Sequence, residues 1–210
     1  MPMSDRGGYI ISDQYETHFL TLTIVGWVDL FSRKECRDII IESFKYCQVN
    51  KGLIINAYVI MSSHIHMVVA ADAESDGLSS IIRDMKKYTA KGLLKWIKES
   101  NRESRKEWLE VIFKYHAKYN SNNKEYQLWK QGNNPKVCLH PRFTAQKINY
   151  IHNNPVVAGI VSNPADYVYS SAKNYFGSEE VLMDVEIIDF DVEQGYVSVS
   201  YTHLTLPTKA

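Results

Sequence analysis

The sequence predicts an α+β protein in which helices pack on one face of an antiparallel sheet. Roughly the first hundred residues contain, in order, segments typical of strand, helix, strand, strand and helix. The second and third strand segments are joined by a short turn, which predicts a hairpin. Further helical segments follow, so a C-terminal helical extension is expected. This order of elements is that of a ferredoxin-like layout.

Local patterns predict the first strand and helix. Residues 18–27 are rich in β-branched and aromatic residues that nearly alternate with polar ones, which is typical of a strand. Ser32, with Glu35 three residues later, has the pattern of a capping box, so a helix is expected from there to about Asn50. Gly52 is expected to end it.

The hairpin strands are predicted at residues 53–60 and 64–71. A long helix is predicted at residues 78–99, where apolar side chains recur at helical spacing, and another at residues 105–119. Residues 126–129 are expected to form a further short strand.

Two short helices are predicted in the C-terminal third. Residues 143–152 form the first, and Asn153-Asn154-Pro155 is expected to end it because proline cannot continue a helix. With that helix end, a structural or DNA-positioning role is expected for His152 rather than a catalytic one. Residues 170–176 form the second helix.

Composition bounds the class of protein. With 45% apolar and 12% aromatic residues among 210, the chain is not a disordered protein. No apolar run approaches the roughly 18 to 20 residues of a membrane span, and the N-terminus does not resemble a signal peptide. Three cysteines without a CxxC pair favour a reduced, cytoplasmic protein.

Charge is balanced overall but unevenly distributed. The chain has 24 basic and 24 acidic residues. Residues 83–106 contain nine Lys or Arg and three acids, whereas residues 179–193 contain seven acids and no Lys or Arg. A locally basic segment is suited to a phosphate backbone, although such a run is also typical of a solvated helix face.

Two histidines are candidate metal ligands. His64 and His66 are separated by one residue in a predicted strand, so both side chains project from the same face. Their rings could converge on one divalent ion. Two imidazoles leave open positions for phosphate and water, which favours Mg²⁺ or Mn²⁺ over a closed structural Zn²⁺ site, although imidazole ligands alone would also accept Zn²⁺. The alternative is two partly exposed histidines at a sheet edge.

The next helix offers a candidate nucleophile. Tyr88 borders the apolar stripe of that helix, and Lys86, Lys87 and Lys91 surround it. A metal-bound phosphodiester beside a tyrosine with neighbouring lysines suits covalent cleavage, because the cations stabilise charge on the phosphate and the phenolate. The alternative is an amphipathic tyrosine at the edge of the core.

Four stretches give the chain a family resemblance. Three of them are residues 57–66, which end in Ser63-His64-Ile65-His66, residues 82–91 of the helix around Tyr88, and residues 150–159, which read YIHNNPVVAG. The fourth is residues 164–172. In these stretches the chain resembles the single-tyrosine HUH (histidine, hydrophobic, histidine) transposases, in particular the REP-associated tyrosine transposases and their insertion-sequence relatives.

The resemblance implies a metal-dependent DNA transposase, with His64 and His66 as metal ligands and Tyr88 as nucleophile. It implies that single-stranded DNA forming hairpins is nicked and rejoined through a 5′-phosphotyrosine. Arg83 and the three lysines near Tyr88 are the expected DNA-binding residues. Relatives include dimers and monomers, so a homodimer stays open.

One departure bears on activity. Some family members supply a third metal ligand, often Gln, one turn after the tyrosine, and the position one turn after Tyr88 is Gly92, which cannot bind a metal. Water, His116 or Asn120 could replace that ligand. The alternative function is therefore a catalytically inactive derivative that binds hairpin DNA.

The expected division of the chain follows from these assignments. A flexible arm is expected at residues 1–14, the HUH catalytic domain at residues 15–120, and the C-terminal part of the transposase fold at residues 121–177. An acidic tail is expected at residues 178–199. Residues 200–210 differ in character from the rest and are expected to be a non-native tail.

Overall fold

A four-stranded antiparallel sheet with strand order β2-β3-β1-β4 forms the centre of the protein. The computed structural model describes residue 11 and residues 13–121 and 125–190. The strands are β1 (His18–Thr23), β2 (Leu53–Ile60), β3 (His64–Ala71) and β4 (Lys136–Val137). The helices are α1 (Lys34–Lys51), α2 (Leu78–Glu99), α3 (Lys106–Lys118), α4 (Pro141–Val157) and α5 (Ala172–Tyr175).

The pairing of β1 with β3 gives the sheet two different faces. Thr21 lies opposite His66, and Thr23 lies opposite His64, so these four side chains share one face. The alternate residues point to the other face and form a buried apolar layer: Leu20, Leu22, Ile65 and Met67. The β2–β3 hairpin has the bounds that the sequence predicts.

Helices cover both faces of the sheet. α1 and α2 pack together on the apolar face, where the ring of Phe44 lies 5.8 Å from that of Tyr58. α4 crosses the opposite face, with Tyr150 against His66. The predicted α+β, ferredoxin-like arrangement is confirmed, and the C-terminal extension supplies the second helical layer.

The chain between β1 and α1 differs from its prediction. β1 ends at Thr23, and a 3-10 turn, Val25–Trp27, follows it. α1 begins at Lys34 without a side-chain cap, and Ser32 lies in a second 3-10 turn, so the predicted capping box is wrong. Gly52 ends α1 in the left-handed conformation, with φ of 68°, as expected.

The C-terminal third also differs. α4 starts at Pro141 and continues through Pro155, so the predicted helix end is wrong. Pro155 lies in the last turn, where its missing N–H costs one intrahelical bond and its ring is buried. Residues 126–129 contribute only an isolated bridge from Trp129 to Ile24, and the fourth strand lies further on, at β4.

The described part of the acidic tail lies along the exposed edge of β2. The backbone N–H of Glu186 donates to the carbonyl of Ile55 at 2.9 Å, and Asn56 Nδ2 donates to the carbonyl of Glu186 at 2.9 Å. Met183 is buried there. These contacts cover part of the outer edge of β2, and an isolated bridge from Val59 to Ser170 covers another part. Most of the predicted N-terminal arm and residues 191–210 lie outside the described residues.

No helix within the described parts of the chain is long and apolar enough to span a bilayer.

A buried carboxylate joins the α2–α3 connection to the start of α1. Glu103 has a fully buried side chain; Oε1 accepts from Arg105 N and Nε at 2.9 and 3.0 Å, and Oε2 accepts from Arg33 Nε at 3.4 Å. The hydrogen bonds from Arg105 are the largest cause of a pKa lowered to about 2. Because the pKa is lowered on folding, the charged carboxylate stabilises the fold above the ordinary pKa and loses that contribution as the pH falls towards 2.

Replacing Glu103 by Gln is expected to lower the free energy of unfolding by about 2–3 kcal/mol at pH 7. The difference from the wild type should shrink between pH 4.5 and pH 2, as the wild-type carboxylate is protonated. Urea unfolding at a series of pH values measures it. Glu110→Gln, at an exposed carboxylate on α3, is the matched control and should have little effect. A difference that does not vary with pH would contradict the assigned role of the charge.

Candidate active site

The two histidines form a close pair at the start of β3. Their ring centroids lie 4.7 Å apart with planes inclined by 72°. His66 is buried and stacks on Phe19 at 5.4 Å, whereas His64 is partly exposed and contacts Trp27 edge to face. The strand alternation that the sequence predicts therefore brings both imidazoles to one spot on the sheet.

Hydroxyl groups orient both rings through the same nitrogen. Thr21 Oγ1 lies 2.9 Å from His66 Nδ1, and Ser63 Oγ lies 3.2 Å from His64 Nδ1. When Nδ1–H donates to the hydroxyl, Nε2 keeps its lone pair and can bind a metal. Thr21 is a site residue that sequence reasoning missed, and its place opposite His66 depends on strand register.

Burial keeps the pair neutral. It lowers the pKa of His66 to about 3, with smaller contributions from His64 and Lys147, and it also lowers the pKa of His64. A metal-binding imidazole must be unprotonated. The apo protein therefore already holds both side chains in the protonation state that metal binding requires near pH 7.

Tyr150 on α4 completes the cluster. Its hydroxyl lies 3.3 Å from His66 Nε2, and the two rings are 5.1 Å apart. The side chain is 47% exposed, so the hydroxyl is held by the histidine yet accessible from outside. A phenol at this place is within reach of any group bound between the histidines and solvent.

A cleft of about 560 Å³ opens beside this cluster, and basic residues line it. Lys147 lies one turn before Tyr150, and its Nζ is 5.9 Å from the Tyr150 ring centroid. Burial lowers the pKa of Lys147. The other lining residues are Phe19, Thr21, His66, Asn134, Pro135 and Lys136. This combination of cations and exposed hydroxyl suits an anionic substrate.

The structure does not bring Tyr88 to the histidines. Tyr88 is 65% exposed and lines a groove with α1 residues, including Glu42 and Tyr46, on the apolar side of the sheet. Gly92, one turn later, faces α1: a Cβ there would lie 3.3 Å from Ile39 Cγ2. Within one chain the sheet therefore separates Tyr88 and Gly92 from the histidine pair.

Comparison with known proteins agrees with this fold. The family model described as IS200-like transposase matches residues 16–132, more than half of the chain. The chain belongs to the IS200-like transposase family. A solved REP-associated tyrosine transposase bound to a REP hairpin has 19% sequence identity and a TM-score of 0.51, covering 85% of this chain and 91% of that one. No curated protein gives a significant match.

The predicted DNA-binding residues of this transposase lie along α2. Arg83, Lys86 and Lys87 line a groove of about 620 Å³ with the loop at residues 130–133. Lys86 is partly buried and donates to the Lys130 carbonyl and Asn133 Oδ1 at 2.8 and 2.9 Å. It therefore holds the loop, whose next residue lines the histidine cleft. Lys91 is exposed on the same helix.

Trp129 and His152 both pack in the interior. Trp129 is buried, and its Nε1 donates to Thr89 Oγ1 at 3.1 Å. His152 is buried inside α4, not at its end, with Nε2 2.9 Å from Ser171 Oγ, and burial lowers its pKa to about 4. The structural interpretation of His152 agrees with these contacts.

A metal held by the histidine pair has further coordination positions to fill. Within residue 11, residues 13–121 and residues 125–190, no group of three His, Cys, Asp or Glu side chains could hold a metal ion. Asn154 lies one helical turn after Tyr150, so its side chain is on the same side of α4. An amide oxygen is an acceptable ligand for Mg²⁺ or Mn²⁺.

Proposed function

We propose that this protein is a metal-dependent transposase that nicks and rejoins single-stranded hairpin DNA, with Tyr150 as the nucleophile. The observation that carries the proposal is the 3.3 Å contact of the Tyr150 hydroxyl with His66 Nε2 beside a basic cleft. Membership of the IS200-like transposase family supports the reaction class. The similar transposase solved with a REP hairpin supports the choice of substrate.

The donor atoms fit a hard divalent ion with open positions. His64 and His66 each have an Nε2 free of the hydroxyl that orients the ring, and Asn154 is the candidate third ligand. When bound, Mg²⁺ or Mn²⁺ would polarise the scissile phosphate and neutralise charge on the leaving oxygen. With Tyr150 as the nucleophile, the residue one helical turn later is Asn154 and not Gly92. Gly92 is then no longer a reason to expect a catalytically inactive derivative.

The proposed reaction exchanges one phosphodiester bond for another, so the bond energy is kept in the covalent protein–DNA intermediate. The Tyr150 phenol gives its proton to solvent as its oxygen forms a bond to phosphorus, the bond from phosphorus to the 3′ oxygen breaks, and that oxygen takes up a proton from solvent. The products are a 5′-phosphotyrosine and a free 3′-OH, which can attack the phosphotyrosine and rejoin without ATP. Lys147 stabilises the phosphate charge from the side of the cleft.

All proposed groups lie in one chain. His66 and Tyr150 contact each other within the same protomer, so this site does not require a second copy. Activity should accordingly be proportional to protein concentration under dilute conditions.

A denaturing gel tests the proposed function. Purified protein is incubated with labelled single-stranded hairpin oligonucleotides from the DNA that flanks its gene, with Mn²⁺, Mg²⁺ or EDTA. We expect an adduct that survives SDS, requires the metal, and is accompanied by a product with a 3′-OH. Hairpin binding in a native gel without any adduct in either metal would instead support the binding derivative.

A further inference from the structure

Trp27 has a backbone conformation that is unusual for a large side chain. Its φ is +55°, and the φ of the preceding Gly26 is +64°. Both lie in the left-handed region, which bulky residues rarely adopt. The flanking chain is held by hydrogen bonds from Ile24 N to the Ser63 carbonyl at 2.9 Å and from Val25 N to the Leu128 carbonyl at 2.7 Å. The fold therefore maintains a conformation that the residue itself disfavours.

This backbone conformation places the indole of Trp27 beside the histidine pair. Trp27 is 58% exposed, and its ring lies 5.6 Å from that of His64 at 78°. An indole with this much open surface does not contribute to the core in the way that the buried Trp129 does. It forms part of the wall beside the outer histidine of the pair.

A cation accompanies the exposed ring. Lys130 Nζ lies 5.0 Å from the centroid of the Trp27 ring, and the backbone N–H of Lys130 donates to the Thr23 carbonyl at 2.8 Å. The lysine side chain is exposed, so it can turn from the ring to a phosphate. An aromatic surface with an adjacent cation is the combination with which proteins bind unpaired nucleotides.

We propose that Trp27 and Lys130 form a nucleotide-binding platform, on which the unpaired base next to the scissile phosphate stacks while Lys130 contacts the neighbouring phosphate. The inference rests on the proposed function, since it needs the scissile phosphate beside His64. It adds a residue that fixes the single-stranded flank of the hairpin.

The test compares variants on matched DNA. Trp27→Ala and Trp27→Phe are measured against wild type with a hairpin whose flanking nucleotide is either intact or abasic. Trp108→Ala is the control. Like Trp27, Trp108 on α3 is about half exposed, at 50%, and has a cationic side chain near its ring, that of Arg105. The readouts are DNA affinity in EDTA and quenching of 2-aminopurine at each flanking position, which report stacking without catalysis.

We expect Trp27→Ala to weaken binding of intact DNA by about 10- to 100-fold, the usual effect of removing a base-stacking aromatic residue. The abasic flank should weaken wild type similarly and leave Trp27→Ala unchanged. Trp27→Phe should recover most of the affinity, and Trp108→Ala should match wild type. Wild type should quench 2-aminopurine at one flanking position, and Trp27→Ala should not.

Equal affinity of wild type and Trp27→Ala for intact DNA, or no quenching at any flanking position, would overturn the platform. In that case the exposed indole would be assigned to a protein partner instead. Failure of the proposed function gives a different result: wild type forms no adduct in Mn²⁺ or Mg²⁺, although quenching that depends on Trp27 persists.

Discussion

Replacing Tyr150 by Phe is expected to abolish the covalent protein–DNA adduct while leaving hairpin binding in EDTA within about twofold of wild type. The phenyl ring keeps the contacts with Phe19 and the edge of His66, so the cleft should retain its shape. The oxygen that would bond to phosphorus is absent, and no other described hydroxyl contacts His66 Nε2. The measurement is the SDS-stable band in the presence of Mn²⁺.

Tyr88→Phe is the matched control for this experiment. Tyr88 is also an exposed helical tyrosine, and its groove lies on the α1 side of the sheet. We expect the adduct to form at the wild-type level. Loss of the adduct in Tyr88→Phe, with Tyr150→Phe active, would contradict the assignment within one chain. It would favour a site in which Tyr88 of one copy serves the histidines of another, and mixing Tyr88→Phe with His66→Ala protein should then restore activity.

The sequence predicts individual strands and helices better than it predicts contacts between residues that are far apart in the chain. The β2–β3 hairpin and the long helix α2 have the predicted bounds, because an apolar run beside a tight turn and a sustained helical period are local signals. The single-residue spacing of His64 and His66 likewise determines their shared face. Each of these features depends on residues close together in the chain.

The proposed nucleophile is the part of the site that short-range sequence patterns indicate least. The lysines around Tyr88 favour that residue from the sequence, yet the side of the sheet that α2 covers depends on long-range packing. Tyr150 lies 84 residues after its partner His66, and no spacing rule connects them. The available signal is the YIHNNPVVAG stretch, which is one of the four that carry the resemblance. Asn153-Asn154-Pro155 has the pattern of a helix end, yet α4 continues through it, so Tyr150 and Asn154 lie on one continuous helix face.

The register of β1 against β3 raises a similar difficulty. Thr21 orients His66 only because the two residues are opposite each other across the ladder. A shift by one residue would send Thr21 to the apolar face and remove the hydroxyl from the site. This part of the site follows from the pairing and cannot be obtained from the sequence of either strand alone.

Replacing His66 by Ala is expected to lower the rate of adduct formation by at least about 10²-fold at subsaturating Mn²⁺, because one of the two imidazole ligands is lost. Binding of hairpin DNA in EDTA should stay near wild type, since the basic residues of the cleft remain. The measurement is the single-turnover rate of adduct formation as a function of metal concentration.

Thr21→Val tests, in the same experiment, whether the Thr21 hydroxyl acts through metal binding by His66 or only through packing. Valine keeps the shape of threonine but cannot accept from His66 Nδ1, so the ring and its tautomer are less firmly set. We expect about 10- to 100-fold more Mn²⁺ to be needed for half-maximal rate, with the maximal rate largely recovered at saturation. His140→Ala, at an exposed histidine before α4, should leave both quantities unchanged. Equal metal dependence in wild type, Thr21→Val and His66→Ala would show that the histidine pair is not the metal site, because only a residue that acts through the metal shifts the metal concentration required.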